Sequence, residues 1–257
     1  MIDTKALRTR KGSGVYQTGR DRVAQIMNVA LEILIDKGYD ALTLREVARR
    51  CKVQIGAISH YYKSRSDLLR DVLNIVVAPY AEKFREILHA KDLDAEQKIG
   101  RLIESLLEDM QRKQTTRLFP HLWQLANHDP FVSKAVDSIY ILERLTFSRL
   151  IAQVNPSLSR EERETLAVYL IAAIAGSTIF VGFEKPWSSQ LPLYRAILCK
   201  SLIETVRTTS SEQFEHYGWQ RTSSPSEWRE PTLLSPEEYR ELIESAEISL
   251  RSEEAEF

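Results

Sequence analysis

Cysteine is scarce in this chain of 257 residues: Cys51 and Cys199 are the whole complement, far apart and each set in an apolar stretch. Two such thiols exclude a disulfide framework and read as buried side chains in a reducing compartment. Histidine is nearly as rare, with five residues. His121 and His128 are spaced to share one helix face, with Asp129 beside them, but no Cys or His cluster supplies the further ligand that a metal centre needs. Glycine-rich phosphate loops, nucleophile elbows and paired-metal motifs are absent, so nothing points to an enzyme, a cofactor or a metal. No apolar run opens the sequence, which argues against a signal peptide and for a cytoplasmic protein. The one long apolar stretch, residues 166–183, is borderline in length for a membrane span. Its small residues and the charged flank at 160–164 predict a buried helix instead, so no membrane partner is expected.

Net charge is almost absent too, at −1. That figure hides a strong asymmetry. Residues 1–65 carry 13 Lys/Arg against 6 Asp/Glu, whereas residues 210–257 carry 4 Arg against 12 Glu. A basic head on a neutral body is the electrostatic footprint of DNA binding.

No strand series and no internal repeat is present; hydrophobic periodicity is helical throughout, and the fold class expected is all-α. Residues 1–19, with three glycines and four basic residues, read as a flexible basic arm able to reach phosphates or the minor groove. A helix follows over 21–37, stopped by Gly38. Thr43 opens a second helix, with Glu46 three residues on in the spacing of a capping box. Only Lys52 and Val53 separate it from a third helix over 54–61, and Ser64 with Asp67 repeats the capping pattern at the start of a fourth. Two short helices joined by a tight turn form a helix-turn-helix, which places its second helix in the DNA major groove. Further helices are predicted over 66–90 (kinked at Pro79), 95–114, 117–127, 131–153, 159–182 and 193–208. After residue 210 the composition turns acidic, with a short helix expected over 236–250.

The run TLREVARR (43–50) followed by GAISHYYKSRSDLL (56–69), preceded by a helix ending in Gly38, resembles the TetR family of bacterial ligand-responsive repressors. The likeness is specific over about 20–70; beyond that it rests on helix number and length. The chain departs from the family pattern at Lys52, where the turn usually has Gly; at Gln54, often Ser; at Ser59, often Tyr; and at Tyr62, often Phe. The resemblance implies a three-helix DNA-binding domain (20–65), a helical effector-binding and dimerisation domain (66–209), and here an acidic extension (210–257).

The chemistry of each residue type assigns roles at the DNA. Gln54 can offer a bidentate amide to adenine; Ile55 and Ala57 offer apolar surface to thymine methyls; Ser59 and His60 can donate to bases or phosphates. Thr43, Arg45, Lys63 and Arg65 are placed to neutralise or bond phosphates, and the resemblance gives Tyr61 a phosphate as well. Ile58, Val53 and Tyr62 are expected in the core. One such helix reads only a few base pairs, so specificity calls for a homodimer on a palindromic double-stranded operator. Its interface is expected on the eighth and ninth helices, where Ala172, Ala173, Ala175 and Gly176 allow close approach. The resemblance also implies a cavity for an unknown small-molecule effector, with candidate lining residues Phe119, His121, Leu122, Trp123, Leu125, His128, Tyr140, Phe147, Tyr169 and Phe180. Plain core is the competing reading of these aromatics. The function expected is a homodimeric transcriptional repressor released from its operator by a small molecule. The alternative is a DNA-binding architectural or assembly protein that acts through a protein partner.

Overall fold

The computed structural model describes residues 17–216, and within them every regular element is helical. The expected helix over 236–250 and most of the basic arm lie outside the described residues. α1 (Gln17–Lys37) begins four residues before the predicted start, so the end of the expected arm is its first turn. It stops at Gly38, whose φ of +75° is a conformation that glycine adopts without steric penalty. A 3-10 turn (Tyr39–Ala41) leads into α2 (Leu44–Arg50) and α3 (Ile55–Tyr61). Thr43 Oγ1 accepts the Glu46 backbone N–H at 3.1 Å and caps α2. The reciprocal half of the expected capping box is not made: the Glu46 carboxylate turns instead to Arg49 at 2.7 Å and Arg50 at 3.2 Å. Two guanidiniums outweigh one backbone N–H as partners for a carboxylate. They hold Glu46 down at about 2, Arg49 contributing most.

α4 (Arg65–Leu88), capped by Ser64, runs through Pro79 as one element into the body. There it meets α5 (Ala95–Asp109), α6 (Lys113–Ala126), α7 (Pro130–Val154), α8 (Arg160–Val181) and α9 (Leu191–Thr208), with a short α10 (Ser211–His216) after them. α5 ends five residues earlier than predicted and α6 begins four residues earlier. Thr115 Oγ1 donates to the Asp109 carboxylate at 2.7 Å, and Thr116 Oγ1 donates to the Met110 carbonyl at 2.6 Å. These hydroxyls satisfy polar groups at the end of α5, and so the turn between the two helices falls about four residues earlier than periodicity suggested. Ser159 and Asp94 each form complete capping boxes at the starts of α8 and α5.

Two clusters of buried apolar side chains hold the chain together. The first joins α1–α4 to the body: Ile26, Met27, Leu34, Val47 and Ile58 pack with Leu68 and Val72 of α4, and with Leu118, Leu122 and Val132 of α6 and α7. The second fills the body around Phe84, Leu102, Phe147, Ile151, Leu170 and Leu202. The head is therefore packed onto α6 rather than hung from α4 alone.

α8 is long and apolar enough to cross a membrane by length and composition. Its inner face is nonetheless spent in the second cluster through Leu166, Ala167, Leu170 and Ile174. Glu164 on α8 forms a buried pair with Arg144 of α7, and the exposed Arg160 reaches it as well at 2.8 Å. A buried carboxylate paired with two guanidiniums suits a protein interior and not a lipid-facing surface.

Candidate nucleic-acid interface

α2 and α3 set their outer faces side by side because their inner faces are consumed by the first cluster. Val47 and Ala48 of α2, Ile58 of α3 and Tyr62 just after it are all buried. Helical periodicity then leaves Thr43 and Arg45, and Gln54, Ile55, Gly56, Ala57 and His60, facing solvent. Ile55 is an exposed large apolar residue on a basic surface, 48% open. Gln54 stands at the start of α3 in extended backbone, and its side chain makes no cap. Its amide is thus available to a base edge.

The turn between α2 and α3 contains Lys52 at φ +57°, the left-handed conformation that the family meets with Gly. The chain accepts that strain and gains an exposed cation beside the outer face of α2 and α3. Lys63 Nζ donates to the Ser59 carbonyl at 2.8 Å, covering the end of α3 where the negative end of the helix dipole lies. Tyr61 is half-buried, edge-on to His60 at 5.1 Å. Thr43 spends an oxygen lone pair on its cap and retains a hydroxyl proton to donate. Arg65 is more confined: its guanidinium lies 3.3 Å over the Tyr39 ring and 3.8 Å from Asp40. Sequence reasoning missed Gly56. A Cβ there would meet nothing within 4 Å, so packing does not call for glycine. Its signal was its position, bare backbone on the outer face of α3.

The residues suggested for an effector cavity are not gathered in one place. Phe119 and Trp123 of α6 lie together at 6.3 Å, and Trp123 Nε1 donates to Tyr140 Oη at 2.7 Å. Tyr80 of α4, missed in the sequence, packs edge-on to Phe119 at 6.0 Å and donates to the Asp109 carboxylate. Leu122 and Leu125 belong to the first cluster and Phe147 to the second. His121 stands against Gly38, where a Cβ would lie 3.1 Å from its ring. His128 is solvent-exposed at the far end of α6. Tyr169 and Phe180 face outward from α8, at 51% and 58% exposure.

An all-helical body carrying a basic helix-turn-helix head defines a DNA-binding regulator. Residues 26–72 match the family model described as bacterial regulatory proteins, tetR family. Among curated relatives, the HTH-type transcriptional regulator BetI of Escherichia coli strain K12 is 24% identical over 157 residues, covering 60% of this chain and 79% of that protein. BetI of Cronobacter sakazakii is 26% identical over 160 residues, covering 60% and 76%. Among solved structures, a transcriptional regulator from Pseudomonas aeruginosa PAO1 superposes with a TM-score of 0.65 at 14% identity, over 80% of this chain and all of that one. A regulator from Saccharomonospora viridis in complex with choline superposes with a TM-score of 0.58 at 18% identity, over 73% and 96%. Residues 26–72 thus form a DNA-binding domain of the tetR family, and the chain is a DNA-binding transcriptional regulator rather than an enzyme.

Proposed function

We propose that this regulator is a cytoplasmic homodimeric repressor that reads a palindromic operator with α3 and is released by a small-molecule effector bound in the body. The observation that carries the reading is a pair of distinct surfaces on one chain: a basic, polar face on α2 and α3, and an exposed apolar face on α8 and α9. On the second face Val168, Tyr169, Ile179 and Phe180 of α8 stand beside Leu193 and Ile197 of α9, each 48–62% exposed. Ala172 is exposed within the same stripe, and Ala175 and Gly176 are half-buried. An apolar surface of this extent, with small residues along it, is what a four-helix dimer interface requires. Ala173 turns inward to the second cluster.

Release needs a connection between body and head, and α6 supplies it. Lys113 pairs with Asp36 of α1 at 2.7 Å, His121 abuts Gly38, and Leu118 and Leu122 share the head's core. A ligand that binds one position of α6 better than another biases the head by that differential affinity. The choline-bound neighbour supports a small-molecule effector in this body. Thr43, Arg45, Gln54, Ile55, Ala57, Ser59, His60, Tyr61, Lys63 and Arg65 are the proposed DNA contacts. The domains proposed are 20–65 for DNA binding and 66–209 for effector binding and dimerisation.

Selection of bound sequences from a random DNA pool tests the reading, followed by a salt titration on the winner. A palindromic winner with steep salt dependence is the expected outcome. An absence of any enriched sequence would overturn it and favour the architectural alternative.

A further inference from the structure

The head concentrates positive charge around α3. From residue 47 to residue 66 the sequence has five Lys/Arg and no Asp/Glu. Arg45, Arg49, Lys52 and Lys63 are exposed there, and Arg45 and Lys52 make no ion pair among the described residues. Ile55, 48% open, lies on the same outer face. Cations beside an exposed apolar side chain fit an acidic helix with an apolar stripe, as they fit DNA.

The chain itself carries such a segment. Net charge is +7 over residues 1–65 and −8 over 210–257, against −1 in total, which leaves zero for 66–209. The acidic segment is therefore attracted to the head and not to the body. Within it Tyr239, Leu242, Ile243 and Ala246 recur at the spacing of one helix face. Glu238 and Glu247 flank that stripe, with Glu237, Glu241 and Glu244 behind it. The chain is long enough to bring the two together. α10 ends at His216, and Phe214 ties it to the second cluster. Just before it, Arg207 in the last turn of α9 pairs with Glu96 in the first turn of α5 at 2.5 Å. The other end of α5 leads to Lys113, which pairs with Asp36 of α1. The acidic segment thus leaves the body one length of α5 from the head, about 22 Å at the helical rise of 1.5 Å per residue. α1, the longest element of the head, adds about 31 Å. Residues 217–235 can span up to about 63 Å, more than both distances together.

We propose that residues 236–250 dock as an acidic amphipathic helix on the α2–α3 face of their own chain and compete there with DNA. The regulation so assigned rests on that face being the DNA contact. Tethering holds the segment at an effective concentration of roughly millimolar around its own head, so a weak contact suffices. The docked fraction withdraws the face from every duplex alike, and apparent affinity falls by one factor for operator and random DNA. Salt weakens the docking as it weakens the DNA contact.

Zero-length carbodiimide coupling of the full chain at low salt, read by mass spectrometry, tests the docking directly, because it joins a carboxylate to an amine only where the two touch. Amide links from Glu237, Glu238, Glu241, Glu244 or Glu247 to Lys52 or Lys63 within one chain are expected. Links that fall only on lysines of the body, of residues 1–16 or of a second chain overturn the docking. A second measurement holds charge constant. Leu242→Ser combined with Ile243→Ser removes the stripe and keeps every carboxylate. This variant should bind a random-sequence duplex three-fold or more tighter than the parent at about 50 mM salt, with the gap closing as salt rises. Equal affinity overturns the docking, since long-range repulsion by the glutamates is the same in both proteins. Should the variant misfold by circular dichroism, the coupling of the parent decides alone. Links to Lys52 and Lys63 in a protein that binds no duplex would sink the DNA reading and spare the docking. Tight duplex binding without such links would do the reverse.

Discussion

At Lys52 two small energies compete. A side chain in left-handed backbone carries about 1–2 kcal/mol of strain, while glycine there would give back about 0.4–1 kcal/mol through a freer unfolded chain. Lys52→Gly should therefore stabilise the protein by about 0.5–1 kcal/mol in chemical denaturation, while weakening DNA binding at low salt through the lost charge. Gly56 makes the opposite case. Its Cβ has open space, so Gly56→Ala should raise stability by about 0.5–1 kcal/mol. A fall in operator affinity in a band-shift titration is expected despite that gain, because the new methyl stands on the reading face. Gln54→Ala should relax preference at one operator position by about 1–3 kcal/mol. A uniform loss across all sequences would reassign Gln54 to the backbone. Glu143 titrates with a defined sign. Its folded value, about 8, lies above the ordinary range of an unfolded glutamate. The folded state thus holds a proton that the unfolded state has lost, and stability falls as pH rises from about 4.5 to about 8. Thermal melts of Glu143→Gln should lack that fall, so the variant gains on the parent between pH 6 and pH 8.

At the scale of the element, boundaries depended on who partners the last polar groups. Apolar periodicity located α1, α2, α3, α8 and α9 to within a few residues, and the caps at Thr43, Ser64 and Ser159 stand where hydroxyls preceded the helices. The α5–α6 break was legible but its position was not, because it hangs on Thr115 and Thr116 bonding back across six residues to Asp109 and Met110. Asn155 shows the same dependence over a longer range. Buried after α7, its side-chain amide donates to the carbonyls of Val206 and Thr209, 3.0 and 2.8 Å away, at the end of α9. Asn155→Ala strands two carbonyls at a buried helix end, and a loss of about 1–3 kcal/mol in denaturant unfolding is expected.

For the whole molecule, the outward stripe on α8 and α9 predicts the assembly state. Tyr169→Asp combined with Phe180→Asp places two charges where two chains would meet, and sedimentation should show a monomer. Its operator affinity should drop steeply, since two linked reading heads gain from each other's binding and a lone head does not. An unchanged dimer would move the interface off α8.

The sequence by itself determined the helix-turn-helix and its outer face, since cap, turn and periodicity there are local and each residue's neighbours lie within one or two turns. The exposed positions of Gln54, Ala57 and His60 and the burial of Ile58 and Tyr62 follow from that spacing alone. Tertiary structure decided the rest. Which aromatics meet, and that Tyr169 and Phe180 turn outward while Tyr80 joins Phe119, depends on how helices far apart in the chain rotate against each other. Glu143 was invisible in the sequence for the same reason: a glutamate on an amphipathic helix reads as surface until the packing of neighbouring helices encloses it.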